Sequence, residues 1–423
     1  MRKTEYPRLG ESLITFTLEN GLTVKIVPRP GFTRKLAYFV TDFGAVHTDF
    51  LLEGKEYHAP AGIAHFLELK LFELPGRDVS AEFAALGAND NAFTSYDMTA
   101  YYFSCTEHFE ESLRLLLEFV STPYFPEESV QREWGIIDQE IGMSSDAPDS
   151  RIFEELMKAM YREHRIRVPI LGSSEDLRQI TPQTLYDCHR AFYTPANMVL
   201  CIVGDVDAQR VKTIAEAVLG TEKKEPGVKL RPWQEEMTCG EKEIRLSMEV
   251  ARPLFQLGLK CEAVGTGEAG LRQEIVGDLA AEALFGESSP LYLSLYEQGL
   301  IDSSFGGGFE TVDGCAMLMC SGDSENPEAV RKAILAQAEK IAGEGLDEAA
   351  FLRMKRSALG RRIRALDSFD ATCFRVCAYH FTDFDYFRFP EVYRSIEATE
   401  ICGFLNRVVK RERCSLSVIE PIE

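Results

Sequence analysis

The order of apolar patterns along the chain predicts an α+β fold of two homologous domains, each a mainly antiparallel sheet packed against helices. Three observations carry this. Strand-type alternation leads and helical periodicity follows in blocks, unlike the strict strand–helix alternation of a doubly wound parallel sheet. The same order of elements then occurs a second time. The most polar stretch, Gly220-Thr221-Glu222-Lys223-Lys224-Glu225-Pro226-Gly227, falls between the two copies and reads as a linker. The implied organisation is an N-terminal domain over 1–220, a linker over 221–240 and a C-terminal domain over 241–423.

Residues 13–18 are rich in β-formers and stop at Glu19-Asn20-Gly21, a hairpin signal. Residues 22–28 alternate apolar and polar, as a half-buried strand does, and 36–42 give a third strand. A loop rich in Gly, His and Pro follows. Residues 63–74 read as a helix closed by Pro75-Gly76, and 80–86 continue helically to Gly87. Residues 91–103 alternate again and read as a strand pair. Helices are expected at 109–121, 127–143, 152–163 and 182–192, before a buried strand at 198–203. In the second half helices at 268–285 and 290–297 precede strands at 303–311 and 315–320. Helices at 327–342 and 348–365 come after them. The turn Gly299-Leu300 answers Leu86-Gly87.

The 423 residues are 45% hydrophobic and 27% charged, ordinary values for a globular chain of two or three domains. Acidic residues number 67 and basic ones 46, a net charge of −21. That argues against binding nucleic acid or anionic lipid, both of which need a cationic surface. It is compatible with basic or extended peptides as partners. No apolar run approaches the roughly 18 residues of a membrane span. The start, Met1-Arg2-Lys3-Thr4-Glu5-Tyr6-Pro7, has no apolar signal core, so a cytoplasmic protein with no membrane contact is expected. The cysteines are odd in number, eleven, and several sit in apolar runs such as 199–203. Buried free thiols in a reducing compartment are expected, not a disulfide framework. Cys373 and Cys377 would share a helix face, but a metal there would need further ligands.

The segment Gly62-Ile63-Ala64-His65-Phe66-Leu67-Glu68-Leu69-Lys70 carries the chemistry. His65 and Glu68 stand at i and i+3, on one face of a helix. Inverted-motif zinc peptidases place histidines at i and i+4 of such a face, with a glutamate at i+3 as general base. Here the fifth position is Leu69, so one histidine of the pair is absent. Taken alone, the pentapeptide reads as a core stripe and not as a metal site, since a His and a Glu on one helix face are common and Leu69 suits a core. Gly306-Gly307-Gly308 is not followed by Gly-Lys-Ser/Thr, so it reads as a strand connection and not a phosphate cradle.

Further segments stand in a fixed order around this one. They are Leu86-Gly87-Ala88, then Asn91-Ala92-Phe93-Thr94-Ser95-Tyr96-Asp97, then 133–140 with a glutamate at each end. Pro169-Ile170-Leu171-Gly172 follows, then Phe192-Tyr193-Thr194-Pro195-Ala196-Asn197-Met198 running into Val203-Gly204-Asp205-Val206-Asp207. With them the chain resembles, over most of its length, the insulinase or pitrilysin-like M16 family of zinc peptidases, in its short two-domain bacterial branch. Within that branch it is similar to proteins associated with 5-aminopentanol modification of elongation factor P. The resemblance implies zinc as cofactor, with His65 and Glu140 as ligands, Glu68 as general base and Glu133 as an assisting acid. It implies that Asn91, Ala92, Phe93 and Thr94 form an edge strand that pairs with extended substrate. It implies half of a clam-shell chamber for peptides or unfolded proteins, closed in a homodimer or in a heterodimer with a second M16 chain.

Two departures qualify this. Leu69 replaces the second zinc histidine, and catalytic zinc needs three protein ligands. Tyr296 stands where the family's substrate-gripping arginine would fall, with no tyrosine seven residues on. The expected function is therefore an M16-type protein with a degenerate zinc motif, weakly active or inactive alone, that binds extended peptide and supports a partner. Two alternatives stay open: an active zinc endopeptidase with His58, His47 or a partner residue as third ligand, and a structural, non-catalytic subunit. His108, His164, His189 and His380 read as surface or packing residues.

Overall fold

A computed structural model gives the fold over residues 1–223, 228–231 and 233–422. The expected linker over 221–240 thus lies partly outside the described residues, at 224–227 and 232.

The chain opens with strands β1 (Arg2–Tyr6), β2 (Glu11–Thr17), β3 (Thr23–Pro28) and β4 (Lys35–Thr41). Where the sequence predicts only a loop, a hairpin forms from β5 (Asp49–Leu52) and β6 (Lys55–His58). Helix α1 (Ile63–Lys70) stops short of the expected end at 74. The chain there folds into a two-strand ribbon, β7 (Glu73–Leu74) with β8 (Arg77–Asp78), around Pro75-Gly76. Asp78 caps α2 (Val79–Ala85) by accepting the Ala81 N–H, and β9 (Asn89–Thr94) and β10 (Thr99–Cys105) follow. Then come α3 (Phe109–Ser121), α4 (Glu127–Asp146), α5 (Pro148–Met160), α6 (Ser174–Leu177) and α7 (Pro182–Phe192), before β11 (Met198–Gly204) and α8 (Ala208–Leu219).

The second half holds β12 (Val228–Leu230), β13 (Glu243–Met248) and β14 (Leu254–Cys261), then α9 (Gly267–Phe285) and α10 (Pro290–Glu297). After β15 (Gly306–Val312) and β16 (Cys315–Asp323) come α11 (Pro327–Glu344), α12 (Glu348–Arg364) and α13 (Phe369–Phe381). The chain finishes with α14 (Phe389–Ser395), α15 (Ala398–Val408) and β17 (Cys414–Pro421).

These elements form two compact units. Unit one comprises Met1–Ile141, Pro169–Arg231 and Ile363–Arg388, and unit two comprises Gly142–Val168, Pro232–Arg362 and Phe389–Glu423. Among the described residues, the main sheet of unit one runs β1-β2-β3-β11-β4-β10-β9 and that of unit two β13-β17-β14-β16-β15. The last five strands of the first match the second one for one. In each a parallel pair, β3 with β11 or β13 with β17, heads a run that is otherwise antiparallel. The class is α+β, and the repeated order of elements is a repeated topology. Each unit also takes in a helix from the other half of the sequence. In unit one α13 lies on β11 and β4, and in unit two α5 lies on β17, β14 and β13.

That borrowed helix explains why β11 is buried along its whole length. On one face of the sheet Phe39, Tyr101, Phe103, Leu200 and Ile202 join the core with Phe66 and Leu67 of α1. On the other, Cys201 lies against Cys373 of α13, whose sulfur is 3.8 Å from the Cys201 carbonyl. A strand covered on both faces reads as a continuous apolar run and not as an alternation. All eleven cysteines are free thiols, and every one except Cys402 is buried. No helix among the described residues is long and apolar enough to cross a membrane.

Candidate active site

The start of α1 is fixed by a contact between two backbones. Gly62 has a left-handed φ of 83°, and a Cβ there would stand 2.4 Å from the Leu171 carbonyl oxygen. Gly172, at φ 69°, would put its Cβ 2.7 Å from Ala61. The loop around Pro169–Gly172 therefore presses on the first turn of the helix that carries His65, and neither position admits a side chain. Gly62→Ala is expected to lower stability by roughly 2 kcal/mol or more, from backbone strain plus overpacking. Gly31→Ala is the control, with a φ of 81° and open space around it. It should lose only about 1 kcal/mol, the strain alone. Urea denaturation of both variants checks the difference, and equal losses would refute the steric reading.

One turn into α1, His65 Nε2 lies 3.7 Å from Glu140 Oε2 on α4. Two ligands about 2.1 Å from a tetrahedral zinc are about 3.4 Å apart, so this separation approaches that of a ligand pair. Glu68, 7% exposed, accepts a 2.6 Å hydrogen bond from the Thr94 hydroxyl, which ties α1 to β9. Glu133 stands a heptad before Glu140 on α4, and Lys70 Nζ lies 3.3 Å from its carboxylate. Lys70 is 2% exposed; it also donates to Glu73 at 2.6 Å and to the Ser129 hydroxyl. The sequence reading missed Lys70. Its signal is a lone lysine in an apolar helix stripe with a glutamate three residues on, the pattern of a buried charge that carries its own counter-ion.

Burial sets the charges here. It pushes the His65 imidazole down to about 4, so the ring is neutral at pH 7. Burial also pushes Glu68 up to about 7; the Thr94 hydrogen bond opposes this and nearby Glu140 adds to it. Glu140 is raised as well, by burial and then by the charge of Glu133.

Two donors are thus in place for a metal, but the set does not fit a catalytic zinc. Leu69, one turn after His65, packs half-buried against the core and offers a hydrocarbon where a third donor is required. His65 Nδ1 is buried without a hydrogen-bond partner, whereas the second nitrogen of a metal-binding imidazole is normally tied to a carbonyl or carboxylate. His58 does not join the pair. It is exposed in the β5–β6 hairpin, and its Nδ1 sits 2.6 Å from Asp49. Among the described residues no group of three or more His, Cys, Asp or Glu is arranged to hold a metal ion. His47 accepts the Gly44 N–H within its own loop. His164 and His189 bond to the carbonyls of Asp313 and Val120.

Beside this cluster β9 is the last strand of its sheet. Its hairpin closes with the Ser95 N–H on the Met98 carbonyl, so Phe93–Ala100 and Asn91–Tyr102 are the hydrogen-bonded pairs of the ladder. The backbone groups of Ala92 and Thr94 therefore point away from β10. The Ala92 N–H is taken by the Asn91 side chain at 2.8 Å. Phe93 turns to the opposite face, its ring 5.9 Å from that of Phe374 on α13. In unit two, Tyr296 is exposed on α10 and stacks on Tyr292.

Residues 54–174 match the family described as Insulinase (Peptidase family M16), and residues 179–358 match the Peptidase M16 inactive domain. The chain is 35% identical to the uncharacterized zinc protease YmfH of Bacillus subtilis (strain 168), over 100% of this chain and 99% of that protein. A crystal structure described as an M16-like peptidase from Alicyclobacillus acidocaldarius superposes with a TM-score of 0.94 at 32% identity, over 99% of this chain and 100% of the other. A protease from Helicobacter pylori shares the fold, with a TM-score of 0.83 at 19% identity over 97% and 99% of the two chains.

Proposed function

The chain belongs to the M16 peptidase family, and from that premise we propose that it is a member whose zinc site has degenerated and whose peptide-binding edge is kept. One observation carries this reading: Leu69 stands beside the His65–Glu140 pair, while the outward backbone of β9 lies next to Glu68. The protein binds extended peptide by adding it as a strand to β9, hydrolyses it weakly or not at all alone, and supports a catalytically complete partner. Strand addition draws its affinity from main-chain hydrogen bonds, which need no metal. The net charge of −21 favours basic or neutral peptides over acidic ones. Asn91 blunts the edge in the free protein by occupying the Ala92 donor, and incoming peptide displaces it.

The test is Ala92→Pro. Proline at an outward-facing edge position removes a donor without breaking the ladder to β10. Binding of a fluorescein-labelled unstructured basic peptide, read by polarization, is expected to weaken about tenfold or more while the melting temperature holds. Unchanged affinity in a folded variant would exclude the β9 edge as the binding element.

A further inference from the structure

Unit two contains a cavity of about 530 Å³. That is the size of a small-molecule site, commonly some 300–1,000 Å³. Its floor is apolar: Val276 of α9, Phe309 of β15 and Phe404 of α15, each buried. Four charged side chains line the rim, and three of them are already matched within the chain. Arg272 grips Glu400 through two parallel bonds of 2.8 and 2.7 Å, and Ser395 through a third. Glu262 accepts from Arg413 at 2.7 Å.

Arg407 is the exception. It reaches back one turn along α15 to donate a single 3.1 Å bond to the Gly403 carbonyl; its charge helps to lower the Glu262 carboxyl, but among the described residues no carboxylate is in ion-pair contact with it. Of the four charged groups it alone has a head group that no other side chain grips. Its remaining N–H groups form a planar fork that matches a carboxylate. An apolar floor beneath that fork suits a ligand with one negative end and a hydrocarbon body.

We propose that this cavity binds a monocarboxylate carried on an apolar group, with the carboxylate on Arg407 and the apolar part against Val276, Phe309 and Phe404. The site lies in unit two and does not rest on the reading of His65 and β9. Two sources share this chemistry: a free medium-chain fatty acid, and the C-terminal residue of a peptide with an apolar side chain.

Isothermal titration of the full-length protein separates them. The probes are decanoate, decanol, and a short unstructured peptide ending in phenylalanine, with either a free carboxylate or an amide at its end. At least one acid is expected to bind, and its uncharged counterpart about tenfold more weakly or not at all. Binding of decanoate alone assigns a fatty acid, binding of the acid peptide alone assigns a chain terminus, and binding of both supports the shared chemistry. Arg407→Gln should reduce the binding about tenfold or more. Gly403→Leu should do the same by filling the space, since a Cβ there meets only Arg407 Nη1, at 3.7 Å. Both variants should keep the native melting temperature. The proposal fails if neither acid binds at about 1 mM, if acid and neutral forms bind alike, or if folded Arg407→Gln binds as the native chain does.

Discussion

Leu69→His is expected to give the chain a zinc site. Position 69 follows His65 by one turn, so an imidazole there joins the same helix face. His65 Nε2 and Glu140 Oε2 are already 3.7 Å apart, close to the spacing of two tetrahedral ligands. The third donor completes the count a catalytic zinc needs. Altering a group that merely orients a ligand changes affinity about 10–100-fold, so supplying a missing ligand should tighten zinc at least about 100-fold. Glu68, three residues from His65 and held near pH 7 by burial, is poised to accept a proton at neutral pH. Peptide hydrolysis should therefore appear with the metal. Zinc titration against a chromophoric chelator reads the first effect, and cleavage of a quenched fluorescent peptide reads the second. A folded Leu69→His chain with native zinc affinity would show that the rest of the site has also drifted from a metal-binding arrangement.

Glu68→Gln should stabilise the native chain at neutral and alkaline pH. The folded carboxyl is raised from 4.5 to about 7. The folded state therefore holds this proton more tightly than the unfolded state, and the stability it contributes is complete below 4.5 and lost as the pH rises through 7. Above pH 7 an ionised, buried Glu68 leaves a standing penalty of about 3 kcal/mol at most. Glutamine removes the charge and still accepts the Thr94 hydroxyl; its own buried amide offsets part of the gain. A net gain of about 2 kcal/mol is expected at pH 8, falling to nothing below pH 4.5. His65 works in the opposite sense. Its folded value of about 4 lies below the ordinary 6.5, so its contribution is present above 6.5 and lost as the pH falls through 4. Both proteins carry His65, so the difference between their urea midpoints at pH 8 and pH 4.5 isolates Glu68. A variant less stable than the native chain at pH 8 would contradict the assignment of Glu68 as a buried, charge-strained acid, the kind of stability sacrifice expected at a functional site.

Much of the site was legible because helical spacing is rigid. His65, Glu68 and Leu69 lie where a 3.6-residue period puts them, and the heptad from Glu133 to Glu140 keeps both acids on one face of α4. The edge position of β9 followed from a resemblance; nothing in residues 91–94 distinguishes an edge strand from an inner one. The β5–β6 hairpin was hidden because four-residue strands are too short to show alternation, and Gly, His and Pro surround them. Periodicity gave a helix where α5 lies but not the sheet it covers, and of α13 only the shared face of Cys373 and Cys377 was read, since pattern reports that a face is buried and not against what. Lys70 escaped notice for a related reason: its partners Ser129 and Glu133 come from a different helix, which no local rule can see.

The most direct test is the metal content of the native chain. Protein purified without chelator, then given zinc and dialysed against a weak competing ligand, should retain far less than one ion per chain by mass spectrometry, with no peptide cleavage above background. Retention of one ion per chain, with cleavage that Glu68→Gln abolishes, would contradict the account: a third donor would then complete the His65–Glu140 pair despite Leu69.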